Sequence, residues 1–104
     1  MDIEYIEIVT FNMFDRVKLD ISLKDMKVIK NGKVISISND KINELLDIIS
    51  FWDESYPGFK LDSEKFVVRL ISDNKIIRQH QGNGMYPENY NEFKIWISDI
   101  VWMK

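Results

Sequence analysis

His80 is the only histidine in this chain of 104 residues, and it lies in Arg78-Gln79-His80-Gln81, just ahead of Gly82-Asn83-Gly84. Imidazole is the side chain whose ordinary titration falls near neutrality, so a histidine among arginines is a candidate for proton transfer or anion binding. Strand alternation about a two-residue turn at Asp73-Asn74 predicts that Arg69 pairs with Arg78, Val67 with His80 and Ile71 with Ile76. In that register Arg69, Arg78 and His80 share one sheet face, and their own hairpin supplies no carboxylate. Phe66, Val68, Leu70 and Ile77 then point toward the helices. Two arginines directly opposite repel each other, and a phosphate, a nucleic-acid backbone or an acidic partner would offset that. Glu4, Glu7 or Asp20 on neighbouring strands would instead make this an ordinary solvated face, and a three-residue loop would separate the arginines.

Other chemistry-bearing patterns are sparse. Gly82-Asn83-Gly84 leads toward a helix N-terminus, where anions can bind, but it has neither the further glycine of a dinucleotide fingerprint nor the Gly-Lys-Ser/Thr of a P-loop. With one histidine and no cysteine, a His-rich or Cys-based metal site has no ligands to draw on, and there is no Asp-x-Asp-x-Asp-Gly calcium loop. No serine sits in a Gly-x-Ser-x-Gly elbow, and no spacing singles out a pair among the 17 carboxylates. The expectation is no catalytic residue, no metal and no cofactor.

Two apolar features point to protein contact. At 100° per residue, Ile95 and Trp102 lie together on the last helix, roughly opposite Phe93 and Ile100, with Asn91, Ser98 and Asp99 around them. Tryptophan is favoured at interface hot spots, so the pair is a candidate anchor. Tyr56 and Phe59 lie in a long aromatic loop, Phe51-Trp52-Asp53-Glu54-Ser55-Tyr56-Pro57-Gly58-Phe59, which suits recognition or closes the open end of the core.

The elements that must position these residues are legible from periodicity. Ile3 to Phe11 reads as a strand with a bulge near Ile6-Glu7, and Val17 to Lys24 alternates cleanly with Val17, Leu19, Ile21 and Leu23 on one face. Asn31-Gly32 predicts a type I′ hairpin from Met26 to Ile37, with Val28 facing Ile35 and a bend near Lys24-Asp25. Ser38-Asn39-Asp40 can cap a helix running to about Trp52, buried along Ile42, Leu45, Ile49 and Trp52. A second hairpin, Lys65 to Ile71 and Lys75 to Gln81, precedes a helix starting at Pro87 with Tyr90, Phe93, Ile97, Ile100 and Val101 inward. The order ββββ-α-ββ-α predicts one α+β domain over residues 1–104. It has two layers: an antiparallel sheet of about five to six strands, with two helices packed on one face.

Composition narrows the function classes. Apolar residues make up 45% and charged residues 30%, which describes a globular chain, and a net charge of −3 disfavours nucleic acid as the main partner. No apolar run approaches the roughly 20 residues of a membrane span, and the N-terminus lacks the basic region of a signal peptide, so a cytoplasmic location is expected without a membrane partner. Frequent Ile, Asn and Lys with no Ala resemble the coding bias of low-GC bacteria and their phages. The reading is a small non-enzymatic binding domain acting through protein–protein contact in an inhibitor, immunity-type or adaptor role, with a homodimer open. The alternatives are a nucleic-acid or anion-binding module around Arg69, Arg78 and His80, and a small enzyme centred on His80.

Overall fold

The computed structural model of this chain describes residues 3–58 and 63–101. Tyr5–Phe11 (β1) and Arg16–Ser22 (β2) form a hairpin, and β1 also pairs antiparallel with Lys65–Ser72 (β6) on its other side. Lys27–Lys30 (β3) and Lys33–Ser36 (β4) continue the sheet beyond β2. Asn31 and Gly32 take φ values of 49° and 78°, the pair a type I′ turn demands, and Val28 faces Ile35 as the turn chemistry predicts. Asn39–Ile49 (α1) follows, with Ser38 as N-cap accepting the Lys41 N–H. After Ser55–Tyr56 (β5) come β6, Lys75–Asn83 (β7) and Tyr90–Val101 (α2).

Among the described residues the sheet has seven strands in the order β4-β3-β2-β1-β6-β7-β5. This extends the expected antiparallel sheet: β5 is a two-residue strand pairing parallel with Gln81 and Gly82 at the edge of β7, so the sheet is mixed. The α+β class and the two helices stand as expected.

Alternation decides which face is covered. Ile6, Ile8 and Thr10 of β1, Leu19 and Ile21 of β2, Val28 of β3, and Phe66, Val68 and Leu70 of β6 are buried. Ile42, Leu45 and Ile49 of α1 join them in one core with Phe93, Trp96, Ile97 and Ile100 of α2. The shortest molecular dimension, 22 Å, is what one sheet and one layer of helices about 10 Å thick occupy. Among the described residues the other sheet face carries no helix, and its cross-strand rows mix charge with exposed and half-buried apolar residues, such as Glu7–Arg69–Gln79 and Tyr5–Ile71–Ile76.

Several boundaries differ from the sequence expectation. The β1 register runs unbroken from Tyr5 to Phe11 against both neighbours, so no bulge forms at Ile6-Glu7. The parity change after Leu23 is a turn closed by the Asp25 N–H on the Ser22 hydroxyl, with Met26 at φ 54°. α1 stops at Ile49, before Trp52, and α2 begins at Tyr90, because Pro87 opens a preceding turn through the Tyr90 N–H to the Pro87 carbonyl.

The correction with most consequence lies in β7. Asp73 and Asn74 do form the two-residue turn, with φ of 53° and 61°, and Ile71 does face Ile76. The register then shifts between Leu70 and Ile71, so that Arg78 faces Leu70, Arg69 faces Gln79 and Val68 faces His80. Ile77 is the extra residue of a β-bulge, and every side chain after it changes face. Arg69 and His80 are therefore on opposite faces of the sheet, and Ile77 is exposed instead of covered.

Candidate functional site

His80 and Arg78 hold the segment that follows α1, whose carbonyls lie beyond the end of the helix at Ile49. The Arg78 guanidinium donates to the Trp52 carbonyl at 3.0 Å, and His80 Nδ1 lies 2.7 Å from the Asp53 carbonyl. Asn89, at the start of α2, completes the junction: its amide donates to the Ile48 carbonyl at 2.9 Å and its oxygen accepts the Trp52 indole N–H at 2.7 Å. A carbonyl only accepts, so the His80 proton sits on Nδ1 and Nε2 is the bare nitrogen. The ring is fully buried, edge-on to Trp52 with centroids 5.9 Å apart, and Nε2 has no hydrogen-bond partner among the described residues. Burial pushes the His80 pKa down, and the Arg78 charge adds to this, against the opposing pull of the Asp53 carbonyl and the Glu54 and Asp53 charges. The result is a neutral imidazole holding residues 52–54 against β7.

Arg69 belongs to the open sheet face. Its guanidinium meets Glu7 Oε1 at 2.6 Å across β1, and its Nε donates to Gln79 at 3.0 Å. Glu7 is one of the three acids named from sequence as able to offset the arginine, so its charge is met within the sheet. Arg69, Arg78 and His80 do not form one patch.

Tyr56 lies in β5, half-buried, with its hydroxyl accepting the Asp53 N–H at 3.0 Å and its ring 6.1 Å from Phe66. Gly82, beside it in β7, has no room for a side chain: a Cβ would stand 2.5 Å from the Met85 carbonyl oxygen and 2.6 Å from the Phe66 ring. β5, β7, the start of β6 and the Phe11 end of β1 border a cavity of about 310 Å³. Phe11, Tyr56, Pro57 and Val67 give it apolar walls, and Ser55, Gln81 and Asn83 add polar groups. Its one charged lining side chain among the described residues is Lys65, whose ammonium lies 5.4 Å from the Phe11 ring centroid. Phe59 lies outside the described residues.

Ile95 is exposed on α2, as expected, beside exposed Asn91, Ser98 and Asp99. Trp102, its proposed companion, lies outside the described residues. Trp96, absent from the expected inward stripe, is fully buried and donates its indole N–H to the Lys41 carbonyl at 2.9 Å.

Among the described residues, the most exposed large apolar side chains lie in the β1–β2 turn. Met13 is 71% and Phe14 93% exposed. The turn is tied: the Asn12 side-chain oxygen accepts the N–H groups of Phe14 at 2.8 Å and Asp15 at 2.9 Å, and the Asn12 N–H donates to the Asp15 carbonyl. This is an Asx-type turn, in which a short polar side chain replaces backbone partners. Nothing in the alternation of the flanking strands marks it. The readable signal is Asn-Met-Phe-Asp itself, a turn-forming asparagine followed by two large apolar residues where polar ones are usual.

No group of three or more metal-ligating side chains occurs among the described residues, and no helix there is long and apolar enough to cross a membrane. Comparison with protein-family models, with curated proteins and with solved structures yields no match.

Proposed function

We propose that this domain acts by binding another protein rather than by transforming a substrate, in an inhibitor, immunity-type or adaptor role, and that the Met13–Phe14 turn is its principal contact. The observation that carries this reading is the pairing of near-complete exposure with a fixed turn backbone. Burying an exposed large apolar side chain contributes about 1.5–3 kcal/mol, so the two together supply a substantial part of a micromolar affinity. A turn already held by its own hydrogen bonds loses little further conformational freedom on docking. Ile95 offers a secondary contact on α2.

An anion-binding role for Arg69 is disfavoured by its ion pair with Glu7, and a catalytic role for His80 by its burial against Trp52. The test compares partners retained from cell extract by the wild-type chain and by a Met13→Ser/Phe14→Ser variant with an unchanged circular-dichroism spectrum. Loss of specific partners from the variant supports the reading. A variant that retains all of them overturns it.

A further inference from the structure

We propose that the Met13–Phe14 turn docks on a second copy of this chain. Phe14 of each protomer enters the cavity bordered by β1, β6, β7 and β5 of the other, and Asp15 meets Lys65 across a two-fold axis. The inference rests on the turn being a protein-docking element and names its partner.

Position supports it first. Phe11 lines the cavity and is the last residue of β1, and the turn begins at the next residue, so projection and recess occupy the same end of the sheet. A contact in which each copy supplies both halves closes on itself as an isologous dimer and leaves no unsatisfied half to propagate a filament.

Chemistry supports it second. The recess is walled by Phe11, Tyr56, Pro57 and Val67, and Lys65 is its one charged lining side chain among the described residues. The projection is apolar, followed at once by a carboxylate: Met13, Phe14, then exposed Asp15. An aromatic ring flanked by an anion is the complement of an apolar recess flanked by a cation, and Lys65 already lies near an aromatic face at Phe11.

Size sets the strength. A volume of about 310 Å³ is at the lower limit of ligand pockets, which suits one inserted side chain rather than a whole helix or strand. Each inserted phenylalanine buries about 150–250 Å² and covers a similar area of wall, so two contacts with their methionines approach roughly 1,000 Å². That is the lower end for specific association, and the dimer is weak and concentration-dependent.

Sedimentation velocity of the full chain from about 1 μM to about 1 mM tests this. The wild type should dimerise reversibly within that range. Phe14→Ser should raise the dissociation constant at least about 30-fold, the threshold of a hot-spot residue. Asp15→Lys and Lys65→Glu should each weaken the dimer, and the double variant Asp15→Lys/Lys65→Glu should recover most of the loss, because the reversed pair attracts again. Phe14, Asp15 and Lys65 are all exposed, Lys65 at the cavity rim, and circular dichroism checks that each variant folds. A wild type that stays monomeric, a dimer indifferent to Phe14→Ser, or charge reversals that fail to restore each other overturns the proposal. If the wild type is monomeric while other proteins are still captured through the turn, the second copy is refuted and the docking reading survives. If the turn variant alters neither measurement, both fall.

Discussion

Acidification from about pH 7.5 to about pH 5.5 should weaken the fold, and His80 should account for the change. In the unfolded chain the imidazole takes up a proton near its ordinary value of 6.5. In the folded chain burial lowers that value, because a proton on Nε2 would place a charge and an unmatched donor in a site closed by Trp52. Below 6.5 the unfolded state therefore binds more protons than the native state, so stability is complete above that pH and falls as pH drops toward the lowered native value. One proton sets the limiting slope at about 1.4 kcal/mol per pH unit. A domain of this size holds about 5–15 kcal/mol in total, so that slope is readily measured. Urea unfolding followed by far-ultraviolet circular dichroism at several pH values gives it directly. His80→Phe keeps an aromatic edge against Trp52 but removes the proton-binding nitrogen, so its stability should be flat over the same range. At about pH 7.5, where the wild-type imidazole is neutral in both states, it should also be about 1 kcal/mol less stable than the wild type, because the Asp53 carbonyl loses its donor. A flat wild-type profile, or an equal slope in His80→Phe, would refute the assignment of a buried neutral imidazole.

Three further substitutions test the junctions around it. Asn89→Ala removes the acceptor of the buried Trp52 indole N–H and the donor to the Ile48 carbonyl, and should cost about 2–4 kcal/mol by denaturant midpoint, with Asn89→Asp recovering the Trp52 half only. Gly82→Ala would force a Cβ to within 2.5 Å of the Met85 carbonyl oxygen and should lower stability by about 1–3 kcal/mol or more, read as a fall in melting temperature. Asn74→Gly relieves a non-glycine residue at φ 61° and creates the preferred Asp-Gly turn, so it should raise the melting temperature by a few degrees, equivalent to up to about 1 kcal/mol.

The parts of the fold legible in the sequence were those written in local chemistry. Asn31-Gly32 and Asp73-Asn74 turn where their tolerance of positive φ allows, Ser38 caps α1, and Leu19 and Ile21 alternate inward on β2. The bulge at Ile77 was not legible, because Ile76 and Ile77 are equally apolar and alternation gives no reason to prefer one as the extra residue. Its position is set by contacts from elsewhere in the chain: Arg78 reaches the Trp52 carbonyl and His80 the Asp53 carbonyl only after the face changes. That single shift also dissolved the basic face expected around Arg69.

The sequence by itself determined the α+β class, the two hairpin turns and most of the buried stripe, since periodicity and turn preference act between residues close along the chain. Tertiary structure alone decided that β5 pairs parallel with the edge of β7, that Glu7 meets Arg69, and that His80 is a buried brace. It also brought Phe11, just ahead of the exposed Met13–Phe14 turn, to a recess it shares with residues of β5, β6 and β7. These outcomes depend on which distant backbone carbonyl, charge or cavity wall arrives beside a side chain, and spacing along one strand carries no record of that.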